Sequence, residues 1–309
     1  MHYHQIHDSN EESIHIIQLG IGLIGKSLTD YIASYYGERR RQIKESKLEW
    51  HDPDHIIMQL KSIEKIIHKK SVTEKIHIIW SAGKSGFLSN EKECDQEYGV
   101  FCKIINFLAH DFCKSSFDKS FYLFSSAGGL YEGQYVFDKH MEPTPKRHYG
   151  FLKLKQENYL SDKKSFFKSI SILRPSSVFS HNLFNKRLGI IGVLISNGIL
   201  NKVTKIFGTE STLRDYILAE DIAAFIVKLI ETQYKKGYEV FFLISALPIS
   251  IFRLKVIIAD LIGQPLLIQY LGSSNSDNIL YHHSIKPRTL FTRPLTESLK
   301  LTKENFLKS

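Results

Sequence analysis

Apolar residues recur along this chain in two rhythms, short unbroken runs and longer stretches spaced three to four apart, and their alternation predicts strands followed by helices. Ile14 to Gln18 reads as a buried strand that stops at Gly20, Gly22 and Gly25, after which Lys26 to Tyr36 sets Leu28, Ile32 and Tyr35 or Tyr36 on one helical face. Gly37 and the run Arg39, Arg40, Arg41 mark that helix's end, and Ser46 to Trp50 reads as a weak second strand. Pro53 can open a helix carrying Ile56, Ile57, Leu60, Ile63, Ile66 and Ile67. Lys75 to Trp80 is the next strand, Glu97 to Cys113 a long helix, and Phe121 to Phe124 a strand ended by Ser125-Ser126-Ala127-Gly128-Gly129. Tyr131 to Pro145 reads as a loop over a site, His148 to Leu160 as a helix and Ile170 to Leu173 as a strand. The second half is less regular: Phe184 to Leu200 is apolar and punctuated by glycines, Val203 to Phe207 and Glu239 to Ile244 are strands, and Asp221 to Glu231 and Ile251 to Leu261 are helices. Leu266 to Tyr270 is an expected edge strand, and the polar tail from Ser273 onward is expected on the surface. This order predicts an α/β fold with a doubly wound parallel sheet covered on both faces. Residues 1–175 would form mainly the sheet domain and 176–309 mainly a smaller lobe, from which 203–207 or 239–244 can return to the main sheet.

The glycines give this sheet a use. Gly20, Gly22 and Gly25 between a strand and a helix can bring backbone amides to the phosphates of a dinucleotide, where the helix dipole favours anions. Ser81-Ala82-Gly83 closes a second strand with side chains small enough for a cofactor to lie against the backbone, and Lys84 and Ser85 follow within reach of phosphate or sugar. An acid normally stands about 20 residues past the glycines to hold the adenosine ribose. Glu49 is the only acid inside the weak strand, whereas Arg39 to Arg41 could meet a 2′-phosphate or simply form a solvated helix end, so NAD and NADP both stay open. Tyr149 and Lys153 share one helical face. A phenol is a poor base by itself, but a neighbouring ammonium favours the phenolate and can hold ribose hydroxyls, which suits the pair to moving a hydroxyl proton while hydride moves.

Composition narrows the classes further. The chain has 309 residues, 43% hydrophobic and 24% charged, enough to bury a sizeable core. Its formal charge of +9 could mark a nucleic-acid binder, but it comes with no basic arm or zinc-finger spacing and an anionic small substrate explains it equally well, so no nucleic-acid partner is expected. Cys94, Cys102 and Cys113 have neither pairing framework nor ligand spacing and read as reduced thiols. No constellation of His, Asp and Cys suggests a metal; His77, His282 and His283 read as core-edge or surface residues. The N-terminal MHYHQIHDSNEES does not look like a signal peptide, and no run approaches 18 apolar residues, so a cytoplasmic protein without membrane insertion is expected.

Taken in order, the glycine-rich turn, the small-residue end at Ser81 to Gly83, the serine-rich end at Ser125 and Ser126, and the Tyr149, Lys153 pair resemble the extended short-chain dehydrogenase/reductase family, of the NAD-dependent epimerase/dehydratase type that modifies nucleotide sugars. FSSAGGLYEG at 124–133 is similar to its catalytic serine region, and YGFLK at 149–153 to its active-site tyrosine motif, with Glu157 where these helices often carry an acid. ILRPSSVF at 172–179 looks like its strand into the substrate lobe, and GTESTLRDYILAEDIAAF at 208–225 resembles the segment whose arginine contacts the nucleotide diphosphate. The resemblance implies a Rossmann-type sheet with a C-terminal substrate-binding lobe, and NAD or NADP held by Gly20, Gly22, Leu23, Ile24, Gly25, Ser81, Ala82, Gly83 and Lys153. It implies catalysis by Tyr149, Lys153 and Ser126, a nucleotide-sugar substrate against Lys84, Ser125, Ser126 and Arg214, and a homodimer formed through the helix at 97–113 and the one after Tyr149. The chain departs from the pattern in three places. Its signature is GIGLIG, the ribose-binding acid is missing from its usual place, and Ala127 stands where the family has a catalytic Ser or Thr. The acids of a sugar 4,6-dehydratase are not evident after Ser126, so 4-epimerisation or 4-keto reduction in polysaccharide or related glycan synthesis is the expected activity. A reductase of another carbonyl compound and an inactive cofactor-binding regulator are the alternatives; Ala127 favours the regulator, while Tyr149 and Lys153 argue against it.

Overall fold

The chain was analysed as a computed structural model, which describes residues 1–7, 13–67, 74–113, 117–181, 188–232, 236–271 and 277–308. Parts of three sequence expectations, within MHYHQIHDSNEES, at the start of Phe184 to Leu200 and at the start of the tail from Ser273, lie outside the described residues.

In chain order the first half contains β1 (His2–His7), β2 (Ser13–Leu19), α1 (Leu23–Tyr36), β3 (Arg40–Glu45), α2 (Pro53–Ile67), β4 (Glu74–Trp80), α3 (Glu91–His110), β5 (Asp118–Phe124), α4 (Ala127–Leu130), β6 (Tyr135–Val136) and α5 (His148–Asp162). The second half contains β7 (Ser169–Pro175), β8 (Ser177–Phe179), α6 (Gly189–Ile199), β9 (Thr204–Phe207), β10 (Leu213–Arg214), β11 (Tyr216–Leu218), α7 (Ala219–Glu231), β12 (Gly237–Leu243), β13 (Ile249–Ser250), α8 (Ile251–Ile262), β14 (Ile268–Leu271), β15 (Leu280–Tyr281) and α9 (Leu295–Leu307). Seven strands form one sheet in the order β12-β7-β5-β4-β2-β1-β3. β12, β7, β5, β4 and β2 are mutually parallel, whereas β1 runs antiparallel to both of its neighbours.

The parallel strands carry near-continuous apolar runs because both faces are covered. Ile17, Leu19, Ile76, Ile78 and Phe121 pack with Ile56, Leu60, Phe101 and Leu108 of α2 and α3, while Ile14, Ile16, Ile79 and Tyr122 pack with Leu28, Ile32, Ile222 and Ile226 of α1 and α7. The lobe has its own core, in which Ile191, Leu194 and Ile195 of α6 meet Leu254 and Ile258 of α8 and Leu299 of α9. β12 lies in the main sheet, whereas β9 pairs with β14 outside it.

Several expectations need correction. Ser46 to Trp50 is not a strand; the strand is β3, and it takes up Arg40 and Arg41, so the arginine run is not a helix end throughout. The N-terminal segment is a sheet strand. Its residues alternate between the two faces, with Tyr3 in the α2 and α3 core and Ile6 in the α1 and α7 core, and its polar side chains find partners in the sheet. Tyr3 Oη lies 2.7 Å from His15 Nδ1, Gln5 Nε2 donates to Ser13 Oγ at 3.1 Å, and Arg40 Nη1 lies 3.1 Å from His4 Nδ1. His77 is fully inside the sheet rather than at its edge, 3.0 Å from Tyr122 Oη. The tail ends in α9, whose Leu299 is buried.

Burial holds His4 and His77 neutral, lowering each imidazole from 6.5 to about 3, with the Arg40 charge beside His4 and the Lys75 charge beside His77 acting in the same direction. Between those values the unfolded chain takes up protons that the native chain refuses, so stability is lost as pH falls from 6.5 toward 3. The loss at pH 5 is at most about 2 kcal/mol for each histidine. Urea midpoints at pH 7.5 and pH 5 are expected to differ, with His77→Gln narrowing the difference; a midpoint independent of pH would contradict this.

Candidate active site

The turn between β2 and α1 uses its three glycines for three different reasons. Gly20 has φ +103°, and a Cβ there would lie 2.4 Å from the Ala82 backbone nitrogen, so glycine lets the turn press against the loop after β4. Gly25 is buried under the same turn, where a Cβ would meet Gly20 O at 2.2 Å. A Cβ on Gly22 would meet nothing within 4 Å. Two side chains lock the turn. Gln18 Nε2 donates to Gly25 O at 2.5 Å, and Ser81 Oγ donates to Gly20 O at 2.7 Å while Ser81 N donates to Leu19 O at 2.8 Å. Ser81, expected to touch the cofactor, thus spends its hydroxyl on holding the turn.

Gly22 caps α1 without a side-chain hydrogen bond, and the first turn of the helix carries no acid. Leu23 and Ile24 therefore offer their amides, with the positive end of the helix dipole, to an anion over open space. Ala82 lies against Gly20, and just beyond it Glu97 Oε2 accepts from Lys84 N at 2.8 Å and from Ser85 N at 2.9 Å and so shapes the loop. Lys84 is exposed, with Nζ 2.8 Å from His51 Nε2. The open Gly22 cradle and the uncapped amides fit the pyrophosphate of a dinucleotide.

Tyr149 and Lys153 lie in α5 beside the end of β5. A Cβ on Gly129 would come within 3.0 Å of the Tyr149 ring, so the ring occupies the space that glycine leaves. Lys153 is buried, 5.7 Å from the Tyr149 ring centroid, and Nζ donates to Phe124 O at 3.4 Å and Gln156 Oε1 at 3.2 Å. β5 has already ended when the chain reaches Ser126, whose Oγ caps α4 by accepting from Gly129 N at 3.0 Å. The Ser126 hydroxyl proton stays available for donation. Ala127 is fully buried in the lobe-side core, and Ser125 Oγ is buried without a hydrogen-bond partner among the described residues. Behind these residues Arg174 grips Glu157 through two nitrogens, at 3.1 and 2.6 Å, and donates to Tyr131 Oη at 2.7 Å. This buried network fixes α5 against β7.

A polar cavity of about 420 Å³ opens beside Tyr149, lined in part by Phe87, Glu132, Lys146, Arg147, His148 and Asp277. Phe87 lies 5.8 Å from Tyr149, ring to ring, and the Arg147 guanidinium stands 5.5 Å over Phe87. Arg147 also holds buried Glu132 through two nitrogens, at 2.8 and 2.9 Å. Asp277 pairs with Lys146 at 2.5 Å, which pulls its carboxyl below the usual carboxylate range, while its carbonyl accepts from Arg214 Nη1 at 2.5 Å. Burial lowers the Arg214 pKa. Sequence reasoning named Arg214 but missed Phe87, Glu132, Arg147 and Asp277. The basic run Lys146-Arg147-His148 just before Tyr149 was the available signal for Arg147, whereas Asp277 had none. Among the described residues no group of three or more His, Cys, Asp or Glu could hold a metal, and no helix is long and apolar enough to cross a membrane.

Comparison with known proteins gives a consistent picture. The model of the NAD dependent epimerase/dehydratase family matches residues 20–242. No curated protein sequence matches the chain. Among solved structures, the chain is similar to the UDP-glucose 4-epimerase of Thermus thermophilus in complex with NAD, at 13% identity and TM-score 0.71 over 96% of this chain and 99% of that one. It is similar to the Thermotoga maritima UDP-glucose 4-epimerase with UDP-glucose, at 17% identity and TM-score 0.70 over 96% and 98%. RMD from Pseudomonas aeruginosa, complexed with NADPH, aligns at 15% identity and TM-score 0.70 over 95% and 99%. At these identities the likeness establishes the fold.

The different burdens on the glycines can be separated by thermal melts. Gly25→Ala is expected to cost more than about 2 kcal/mol through its clash with the Gly20 carbonyl, whereas Gly22→Ala should stay within about 1 kcal/mol. Equal losses in the two variants would contradict the assignment.

Proposed function

The chain belongs to the NAD-dependent epimerase/dehydratase family, and from that premise we propose that it is a nucleotide-sugar 4-epimerase or 4-ketoreductase whose proton-transfer residue is Tyr149. The observation that carries this reading is the placement of Tyr149 with buried Lys153 on one side and the polar cavity of Phe87, Glu132 and Arg147 on the other. The glycine turn would hold the dinucleotide through Gly22, Leu23 and Ile24, with Ala82 and Gly83 forming the floor. The bound nicotinamide would supply hydride exchange at C4 of the sugar.

Tyr149 takes the proton from the C4 hydroxyl, or gives one to a C4 carbonyl, according to direction. The Lys153 ammonium lies 5.7 Å from the ring centroid, where it would stabilise negative charge on the phenol oxygen during transfer. With Ala127 lacking a hydroxyl, Ser126 supplies one just past the end of β5, its oxygen oriented by Gly129 N, beside the Ser125 hydroxyl, unpartnered among the described residues. Phe87 offers an apolar face to a sugar ring, and Glu132 with Arg147 offers acceptors and donors for its hydroxyls. Arg214, joined to the cavity through Asp277, is the cation that would meet the substrate diphosphate. α3 and α5 pack side by side, with Lys155 paired to Asp95 and Tyr159 bonded to Asn106 on exposed faces, and a homodimer through these helices accompanies the reading.

Incubation of the purified protein with UDP-, GDP- and dTDP-sugars in the presence of NAD(H) or NADP(H) tests this. A product of equal mass signifies epimerisation, and a shift of two mass units with cofactor consumption signifies reduction or oxidation. Tyr149→Phe is expected to lower the rate by about 10²-fold or more while cofactor binding persists. Cofactor binding with no sugar converted by the wild type would instead favour a regulatory protein, as the missing hydroxyl at Ala127 suggests.

A further inference from the structure

α5 turns inward a face that carries Gly150, Lys153, Gln156, Glu157 and Leu160. A helix stripe buried against a core is ordinarily apolar, yet three of these positions are polar, and each needs a partner to offset the loss of water. Glu157 has the Arg174 guanidinium, through two hydrogen bonds. Lys153, 5% exposed, donates to Phe124 O at 3.4 Å and to Gln156 Oε1 at 3.2 Å. Gln156 is fully buried, and its Nε2 has no hydrogen-bond partner among the described residues. Only half of the amide is therefore satisfied. A side chain needed just to fill this space would be better apolar, because the unpaired amide nitrogen destabilises a glutamine there relative to a leucine or methionine. What the glutamine adds is one acceptor, and that acceptor meets the ammonium.

We infer that Gln156 is a positioning residue for the proton-transfer pair, its side-chain carbonyl holding the Lys153 ammonium charged and in place beside Tyr149. The inference rests on the reading of Tyr149 as the proton-transfer residue. Side chains on a helix lean toward its N-terminus, so a glutamine one turn after Lys153 reaches back to it, while Tyr149 stands one turn before. The ammonium lies 5.7 Å from the phenol ring centroid. Of its three N–H groups, Phe124 O and Gln156 Oε1 engage two, which leaves one for a group at the reacting end. Without the amide oxygen the buried ammonium would keep a single one of these acceptors, at 3.4 Å, and burial would favour its neutral form. The phenolate would then lose the positive charge that stabilises it. Arg174 on β7 is engaged by Glu157, so it does not take over that part. On the cavity side stand Lys146, Arg147, His148, Glu132 and Asp277, four of them joined in two ion pairs.

The tyrosinate absorbance of the full chain, less that of its Tyr149→Phe variant, follows the ionisation of this one phenol as pH is raised. The same pair of proteins carrying Gln156→Met, which keeps the side-chain length and removes the acceptor, is expected to reach its half-point at a pH higher by about half a unit or more. Gln156→Glu keeps an oxygen against Lys153 but balances its charge, so it should raise the half-point too, and it tests the inference even where the methionine variant does not fold. Thermal melts of each variant check the fold, since a glutamine that only packs would change the melt and leave the half-point where it was. A half-point that stays or falls in the folded variants overturns the positioning role, whatever the sugar assays show. A raised half-point beside a wild type that converts no sugar upholds the positioning and overturns the proposed function alone.

Discussion

The rest of this structure depends on the close approach of two loops at the carboxyl edge of the sheet. Gly20 presses against the Ser81 to Ala82 backbone with no room for a side chain, and Gly25 presses α1 onto Gly20 from the other side. Backbone packed this tightly leaves carbonyls that must be satisfied, since an unpaired buried acceptor costs about 1–3 kcal/mol. Gln18 and Ser81 supply those donors. The consequence is a braced turn that leaves open space over Gly22 at the start of α1.

How legible this was in the sequence followed the kind of force that fixes each element. The parallel strands and their helices were readable because sheets covered on both faces demand unbroken apolar runs, as in Lys75 to Trp80, and helices against them demand a stripe, as in Ile56 to Ile67. β1 was not readable. HYHQIH has no apolar run, and its burial is made possible by partners distant in sequence, His15 for Tyr3 and Arg40 for His4. β3 was hidden in the same way, because a strand reading RRQIKE looks like a solvated segment until β1 pairs with it. α9 was missed because the tail's polar composition concealed a short face ending in Leu299.

The candidate site divides along similar lines. The glycines and the Tyr149, Lys153 pair follow motif spacing, and Arg214 was named through the resemblance of its segment to the family, so these residues could be singled out from one dimension. Glu132, Arg147 and Asp277 meet through contacts between separate loops, and no spacing encodes that meeting. The question raised by Ala127 takes a physical form in the structure. Ala127 is sealed inside a core, while Ser126, freed from strand alternation by the end of β5, keeps a hydroxyl at the start of α4. The Arg174, Glu157 and Tyr131 network ties α5, the helix that carries Tyr149, to β7.

A crystal structure of the protein grown with NAD⁺ bears on all of this at once. The pyrophosphate is expected within hydrogen-bond distance of the Leu23 and Ile24 amides above Gly22, with the nicotinamide end beside Tyr149 and Lys153. A dinucleotide bound elsewhere on the chain, or one whose nicotinamide points away from Tyr149, would contradict the site described.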